Sequence, residues 1–209
     1  ESLAAYIAIA LDNTDAYTQI QQAQIEIEHQ NMKITDSLRY ASDIQEVILP
    51  YQEEMIEMFP KHFVIYKPKD IVSGDFYWAK EKKGRKFIAV ADCTGHGVPG
   101  AFMSIVGTTL LNQVLETISL ESGLIGILHA LNIDFYNALN LDVNQNNDGM
   151  DVGICMIEDS TENEGKVKVS FAGAKRPLYY SDKGEFKEAK GTRRSIGDKV
   201  KRNGSGKPF

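Results

Sequence analysis

The stretch DFYWAKEKKGRKFIAVAD, residues 75–92, decides how this chain folds. Residues 75–79 are aromatic and strand-like, and residues 86–91 form a buried-type apolar strand. The polar turn Lys82-Lys83-Gly84-Arg85 lies between them. Two such runs around a short glycine-containing turn predict a β-hairpin over 75–91. Asp75 begins the first strand and Asp92 ends the second, so hairpin pairing brings together two carboxylates that stand 17 residues apart. Neighbouring carboxylates both stay ionised only when something positive sits between them. Oxygen ligands of this kind suit Mg²⁺ or Mn²⁺ rather than zinc. A pair of such ions can lower the pKa of a water and clamp a phosphoryl group. The alternative for each aspartate is an ordinary turn residue at a strand end.

Following the hairpin, residues 100–120 and 124–139 read as two helices, the first apolar enough to be largely buried. Residues 144–149 are a polar loop. Strands are expected at 151–158 and 166–172, joined by the polar turn 159–165. Residues 178–180 and 186–189 flank the turn Asp182-Lys183-Gly184, and 203–208 is a flexible tail. Upstream, residues 62–66 are a short strand candidate ending at Lys67-Pro68. Strands, then two helices, then more strands predict an α+β chain with a largely antiparallel sheet.

Residues 1–57 contain no Gly, and their only Pro is Pro50. Their apolar side chains recur at helical spacing and fit a seven-residue register. One seam position takes Tyr6, Asn13, Ile20, Ile27, Ile34, Ala41 and Ile48. The other takes Ile9, Ala16, Ala23, Gln30, Ser37, Ile44 and Tyr51. Such a stripe predicts a long coiled-coil helix that forms a parallel homodimer through residues 1–58. The alternative is a helix packed on its own domain. Gln30 and Ser37 weaken the seam in its middle, which suits a helix that shifts register to carry a signal. Pro50 should interrupt it.

Composition narrows the functional classes. At 209 residues and 43% hydrophobic, the chain reads as globular. No apolar run approaches the roughly 18–20 residues that span a membrane, and no signal peptide is evident. Two cysteines in dissimilar contexts, Cys93 and Cys155, argue against a disulfide framework and for a reducing, cytoplasmic location. The net charge of −6 is unevenly spread: residues 1–50 carry eight acids and two bases, residues 166–209 thirteen bases and four acids. Aromatic residues interleave the basic end too thinly to favour a nucleic-acid partner. The expectation is no nucleic acid, and a basic face that helps attract a phosphorylated substrate.

The loop after the hairpin, ADCTGHGVPG (91–100), carries a thiol and an imidazole. Cys93 and His96 supply two zinc ligands at most, with no second pair at zinc spacing. The glycines lack the Gly-Lys-Ser/Thr ending of a nucleotide-binding loop. A nucleophilic Cys93 needs a base and an oriented helix N-terminus, and the alternative is a small buried residue after a strand.

IVSGDFYW (71–78), VADCTGHGVPGAFMS (90–104), DGMDVGICMI (148–157), FAGAKRPLYY (171–180) and RRSIG (193–197) occur in that order. Together they resemble the SpoIIE-type branch of the metal-dependent (type 2C, PPM) serine/threonine phosphatases. The segment 41–50 resembles the linker helix that leads into such domains in bacterial signalling proteins. AAYIAIALDNTDAY (4–17) resembles the last helix of a GAF sensor domain. The resemblance implies a β-sandwich flanked by helices, with two Mn²⁺ or Mg²⁺ ions at one end. By motif position, Asp75 and Asp92 would be metal-ligating carboxylates and the backbone carbonyl of Cys93 a further ligand. His96 is a candidate general acid, at an offset from the aspartate that differs from relatives using such a histidine. Asp151 would support the site or serve structurally.

Two domains are thus expected: a signalling helix over 1–58, with 1–18 the end of an upstream sensor domain, and a phosphatase domain over 59–209. Domains of this type continue past the RRSIG motif into strands carrying Asp-Gly and Asp-Asp motifs. Neither pair follows Gly197, so a C-terminally truncated domain is expected. The expected activity is hydrolysis of phosphoserine or phosphothreonine on a signalling phosphoprotein by metal-activated water. The alternative is a non-catalytic dimerisation or scaffold module that retains the fold.

Overall fold

The structure, a computed structural model, describes residues 2–141, 148–159 and 166–198. By its internal contacts the chain divides into two units, Glu1–Ala41 and Ser42–Phe209. The expected loop over 144–149 and turn over 159–165 fall largely outside the described residues, as does the tail.

The first unit is helical. Helix α1, Ser2–Ile48, meets no Gly or Pro along its length and stops two residues before Pro50. The proline ring disfavours helical geometry in the residue before it. Within this unit the seam residues Tyr6, Ile9, Ile20, Ile27 and Ile34 are all exposed. Polar pairs one turn apart, Gln24 to Glu28 and Gln30 to Glu26, bond along the helix surface.

The second unit begins in the last turns of α1. Residues 42–58, grouped by sequence with the N-terminal helix, are packed into it. The cause is Gln45, a buried amide with every polar atom engaged. Its Nε2 donates to Ser73 O (2.6 Å) and Ser104 Oγ (2.7 Å), and its Oε1 accepts from Ser73 N (3.0 Å). Leu49 and, on helix α2 (Gln52–Met58), Met55 are buried as well.

Four strands form one antiparallel sheet in the order β1 (Asp75–Lys82), β2 (Arg85–Cys93), β3 (Met150–Asp159), β4 (Val167–Ala174). The β1–β2 turn residues Lys83 and Gly84 have φ of 52° and 72°. Positive φ at both centres is the two-residue hairpin turn whose twist matches the strands. A second hairpin, β5 (Leu178–Asp182) with β6 (Glu185–Ala189), repeats the device at Lys183-Gly184. The α+β class with antiparallel sheet and flanking helices is the architecture the sequence led us to expect.

Helices α3 (Gly97–Thr117) and α4 (Gly123–Ala138) cover one face of the sheet. Pro99 sits in the first turn of α3, where a missing N–H costs nothing. The buried positions Met103, Gly107, Leu110, Leu111 and Val114 recur at three- and four-residue spacing and meet Phe76, Trp78 and Phe87 of the sheet. Burying each such large side chain contributes about 1.5–3 kcal/mol. Gly107 is required for this approach, since a Cβ there would lie 3.0 Å from the Phe76 ring and the Met150 sulfur. By length and composition α3 is apolar enough to cross a membrane, a test that the buried core helix of a folded domain also passes. Its apolar character is used in the core, where 56% of its most apolar window is buried.

The strand expected over 62–66 does not form. No described strand pairs with it, and an extended segment without a ladder is not a strand. Phe63 and Ile65 are exposed, while Tyr66 packs edge-on against Tyr77 of β1 (5.8 Å, 73°).

Candidate active site

The sheet register builds the site. Asp75 of β1 stands directly opposite Asp92 of β2, and Asp92 directly opposite Asp151 of β3. Side chains alternate along each strand, so Phe76, Ala91, Cys93 and Val152 turn into the core while the three aspartates share the other face. Directly opposed residues hold their Cβ atoms about 4.5–5.5 Å apart, and like charges there are destabilising. The hairpin put Asp75 and Asp92 together, as expected. Asp151 is the third member of the row. Its alternation within the GMDVGICMI run was readable, but its pairing with β2 spans two intervening helices and was not.

Countercharge comes from residues that the sequence reading did not single out. The Arg176 guanidinium bonds the Asp92 carboxylate. Lys175 Nζ lies 3.8 Å from Asp151 Oδ1, to which Ser195 Oγ also donates. The Asp75 carboxylate makes no ion pair among the described residues. The signal for Lys175 and Arg176 was the basic pair inside FAGAKRPLYY, which a charge count merges into the basic end of the chain.

Glycines let the loops converge. A Cβ on Gly74 would lie 2.7 Å from Gly95 O and 3.2 Å from Cys93 O; one on Gly100 would lie 2.7 Å from Gly95 O and 3.0 Å from Gly74 Cα. Backbone thus packs on backbone, and the Cys93 carbonyl runs alongside the Gly74–Asp75 link. Thr94 ties this loop to the next: its N–H and Oγ1 both donate to Gly149 O, and its Oγ1 accepts from Gly149 N. The RRSIG segment closes the far side. Ile196 exchanges both backbone bonds with Met150, and Gly197, at φ 97°, donates its N–H to Asn132 Oδ1 (2.8 Å).

Cys93 is a buried thiol facing the core. Burial, with the nearby charges of Asp75 and Asp151 adding to it, pushes its thiol up to about 12, so the thiolate is absent at neutral pH. Burial raises Cys155 to about 11. His96 precedes α3, is largely exposed, and meets Asp70 through Nδ1 at 3.2 Å. The structure therefore does not bring it into the aspartate row.

Asp92 borders two cavities. One, of about 530 Å³, runs between the 63–68 segment and the uncovered sheet face, with Asp75, Asp92 and Arg176 at its polar end. The other, of about 490 Å³, is polar and lined by Asp92, Asp148, Asp151, Lys175, Ser195 and Asp198. Among the described residues no three of His, Cys, Asp or Glu converge as a ready-made metal cage. The opposed carboxylates and the adjacent Cys93 carbonyl are hard oxygen donors, and they fit part of the ligand set of Mg²⁺ or Mn²⁺.

A family model described as Stage II sporulation protein E (SpoIIE) matches residues 82–199. Among solved structures, the SiaA-PP2C domain of Pseudomonas aeruginosa is similar, with 36% identity and a TM-score of 0.65 over 81% of this chain. The chain spans 65% of that domain's length. Comparison with curated proteins gives no match.

Proposed function

The chain belongs to the SpoIIE family of protein phosphatases, and from that premise we propose that it hydrolyses phosphoserine or phosphothreonine on a signalling phosphoprotein. The observation that carries the proposal is the register that sets Asp75 and Asp92 face to face at the mouth of a cavity. Asp75 and Asp92, with the Cys93 carbonyl, would hold two Mn²⁺ or Mg²⁺ ions. Such ions supply an acidified water and neutralise charge on a phosphoryl group. Arg176 presents a planar fork beside Asp92 that matches phosphoryl oxygens, and Lys175 adds a second cation. Asp151, which accepts from Ser195, keeps Lys175 positioned, as Asp92 does Arg176. His96, bonded to Asp70, stays outside this set. The expected result is hydrolysis of a phosphoserine peptide by the full-length protein with Mn²⁺ and none in a chelator. Turnover undiminished in the chelator would contradict the proposal.

A second reading, a non-catalytic scaffold, is favoured by one observation: Arg176 already satisfies Asp92. Absence of Mn²⁺ binding by the full-length protein would support it.

The same proposal includes a homodimer through residues 1–58, regulated from an upstream sensor domain, in the cytoplasm. The exposed seam of α1 motivates it. Ile27→Asp places a charge in that seam and should raise the dimer dissociation constant at least about tenfold in sedimentation equilibrium. An unchanged constant would remove the coiled-coil interface. Recovery of the protein outside the cytoplasmic fraction would remove the location.

A further inference from the structure

Two loops beside the aspartate row are locked backbone to backbone. Lys175 N donates to Thr192 O (2.9 Å), and Thr192 N donates to Gly173 O (2.7 Å). Gly173 and Gly191 make this possible, because a Cβ on Gly191 would lie 2.6 Å from Arg176 O and 2.7 Å from Gly173 O. The clamp holds the 174–177 link against the 190–193 segment that follows β6. Lys175, Arg176, Lys190 and Arg193 therefore line one open cavity of about 510 Å³, which reaches Asp151 of the aspartate row. Among the described residues its acids are Asp151 and Glu188.

The four cations divide by role. Lys175 and Arg176 face the aspartates and are engaged by them. Lys190 and Arg193 are exposed and make no ion pair among the described residues. The distal half of the cavity thus carries surplus positive charge one step away from where a phosphoryl group would sit. An extended peptide advances about 3.3 Å per residue, so its next two or three side chains would reach this half. No aromatic side chain among the described residues lines the cavity, so they offer no stacking platform of the kind found in a single-stranded nucleic-acid groove.

We propose that this cavity is the subsite for acidic side chains flanking the phosphorylated residue of the protein substrate. The assignment rests on the phosphatase reading and extends it to substrate choice: Lys190 and Arg193 select, while Lys175 and Arg176 belong to the reacting end.

The test uses the full-length protein and fluorescent phosphoserine peptides with Asp-Asp or Asn-Asn two and three positions away, on either side. Binding is read by anisotropy in a chelator, where turnover is stopped. The Asp peptide should bind about tenfold more tightly than the Asn peptide on one side only, as two exposed charge pairs allow. Screening in 0.5 M salt should shrink that ratio. In the double variant Lys190→Gln, Arg193→Gln the ratio should fall to about two or below, with Asn-peptide affinity unchanged. A ratio near one in the wild type, or a preference retained in the double variant, overturns the subsite. So does a single-stranded oligonucleotide of matched charge that binds more tightly than the Asp peptide. Hydrolysis of p-nitrophenyl phosphate with Mn²⁺ checks the parent reading separately, since that substrate has no flanking residues. Its absence counts against the phosphatase, whereas its presence with a ratio near one overturns the subsite alone.

Discussion

In the full-length protein, Asp92→Ala lowers kcat/KM for a phosphoserine peptide by at least about 10³-fold and leaves the fold intact. A loss of that size corresponds to about 4 kcal/mol of transition-state stabilisation. Asp92 is the middle member of the row, opposite Asp75 on one side and Asp151 on the other, and it borders both cavities. Among the described residues no other carboxylate lines both. The fold survives because the Asp92–Arg176 pair is half in solvent, with side-chain exposures of 48% and 43%. Exposed pairs contribute about 0–1 kcal/mol. Truncation also relieves the repulsion among three aligned carboxylates. Circular dichroism and the melting temperature should therefore match the wild type to within a few degrees. Activity within threefold of the wild type would contradict the role given to Asp92.

Gly173→Ala should cost about 3 kcal/mol, the upper range for forcing an atom into packed structure. The new Cβ would clash with Arg176 O and lie 2.8 Å from the Phe171 ring and 3.1 Å from Gly191 Cα. Two of those three neighbours are backbone and have no rotamer to retreat into. Either the end of β4 or the 174–177 link must move, and the second choice displaces Lys175 and Arg176 from the aspartate row. For a chain of this size the melting temperature should fall by roughly 6–12 °C. Gly184→Ala is the control. Its φ of 87° strains an alanine, but nothing lies within 4 Å of its Cβ, so about 1 kcal/mol is expected. Equal losses in urea melts of the two variants would show that the close approach is not what Gly173 provides.

What could be read from the sequence was local. The β1–β2 hairpin, its Lys83-Gly84 turn and the meeting of Asp75 with Asp92 follow from two short runs and the residues between them. The helix stop before Pro50 and both core helices are local in the same sense. Asp151 joins the row only because β3 pairs with β2 after two helices and a loop, and no nearby residue encodes that pairing. Arg176 was hidden for a related reason. Its place depends on the contact between Gly173 and Gly191, 18 residues apart in sequence. The strand expected over 62–66 has apolar, β-prone residues, yet strand formation needs a partner that none of the described strands supplies. Gln45 falls outside both seam positions of the N-terminal helix, and only its three bonds to residues 73 and 104 reveal it as buried.

The central claim is that the opposed Asp75 and Asp92 carboxylates hold divalent metal. Calorimetric titration of Mn²⁺ into the full-length wild type, Asp75→Asn and Asp92→Asn tests it most directly. Saturable binding in the wild type, weakened at least about tenfold by each substitution, is the predicted result. Binding in both variants that is indistinguishable from the wild type would contradict it.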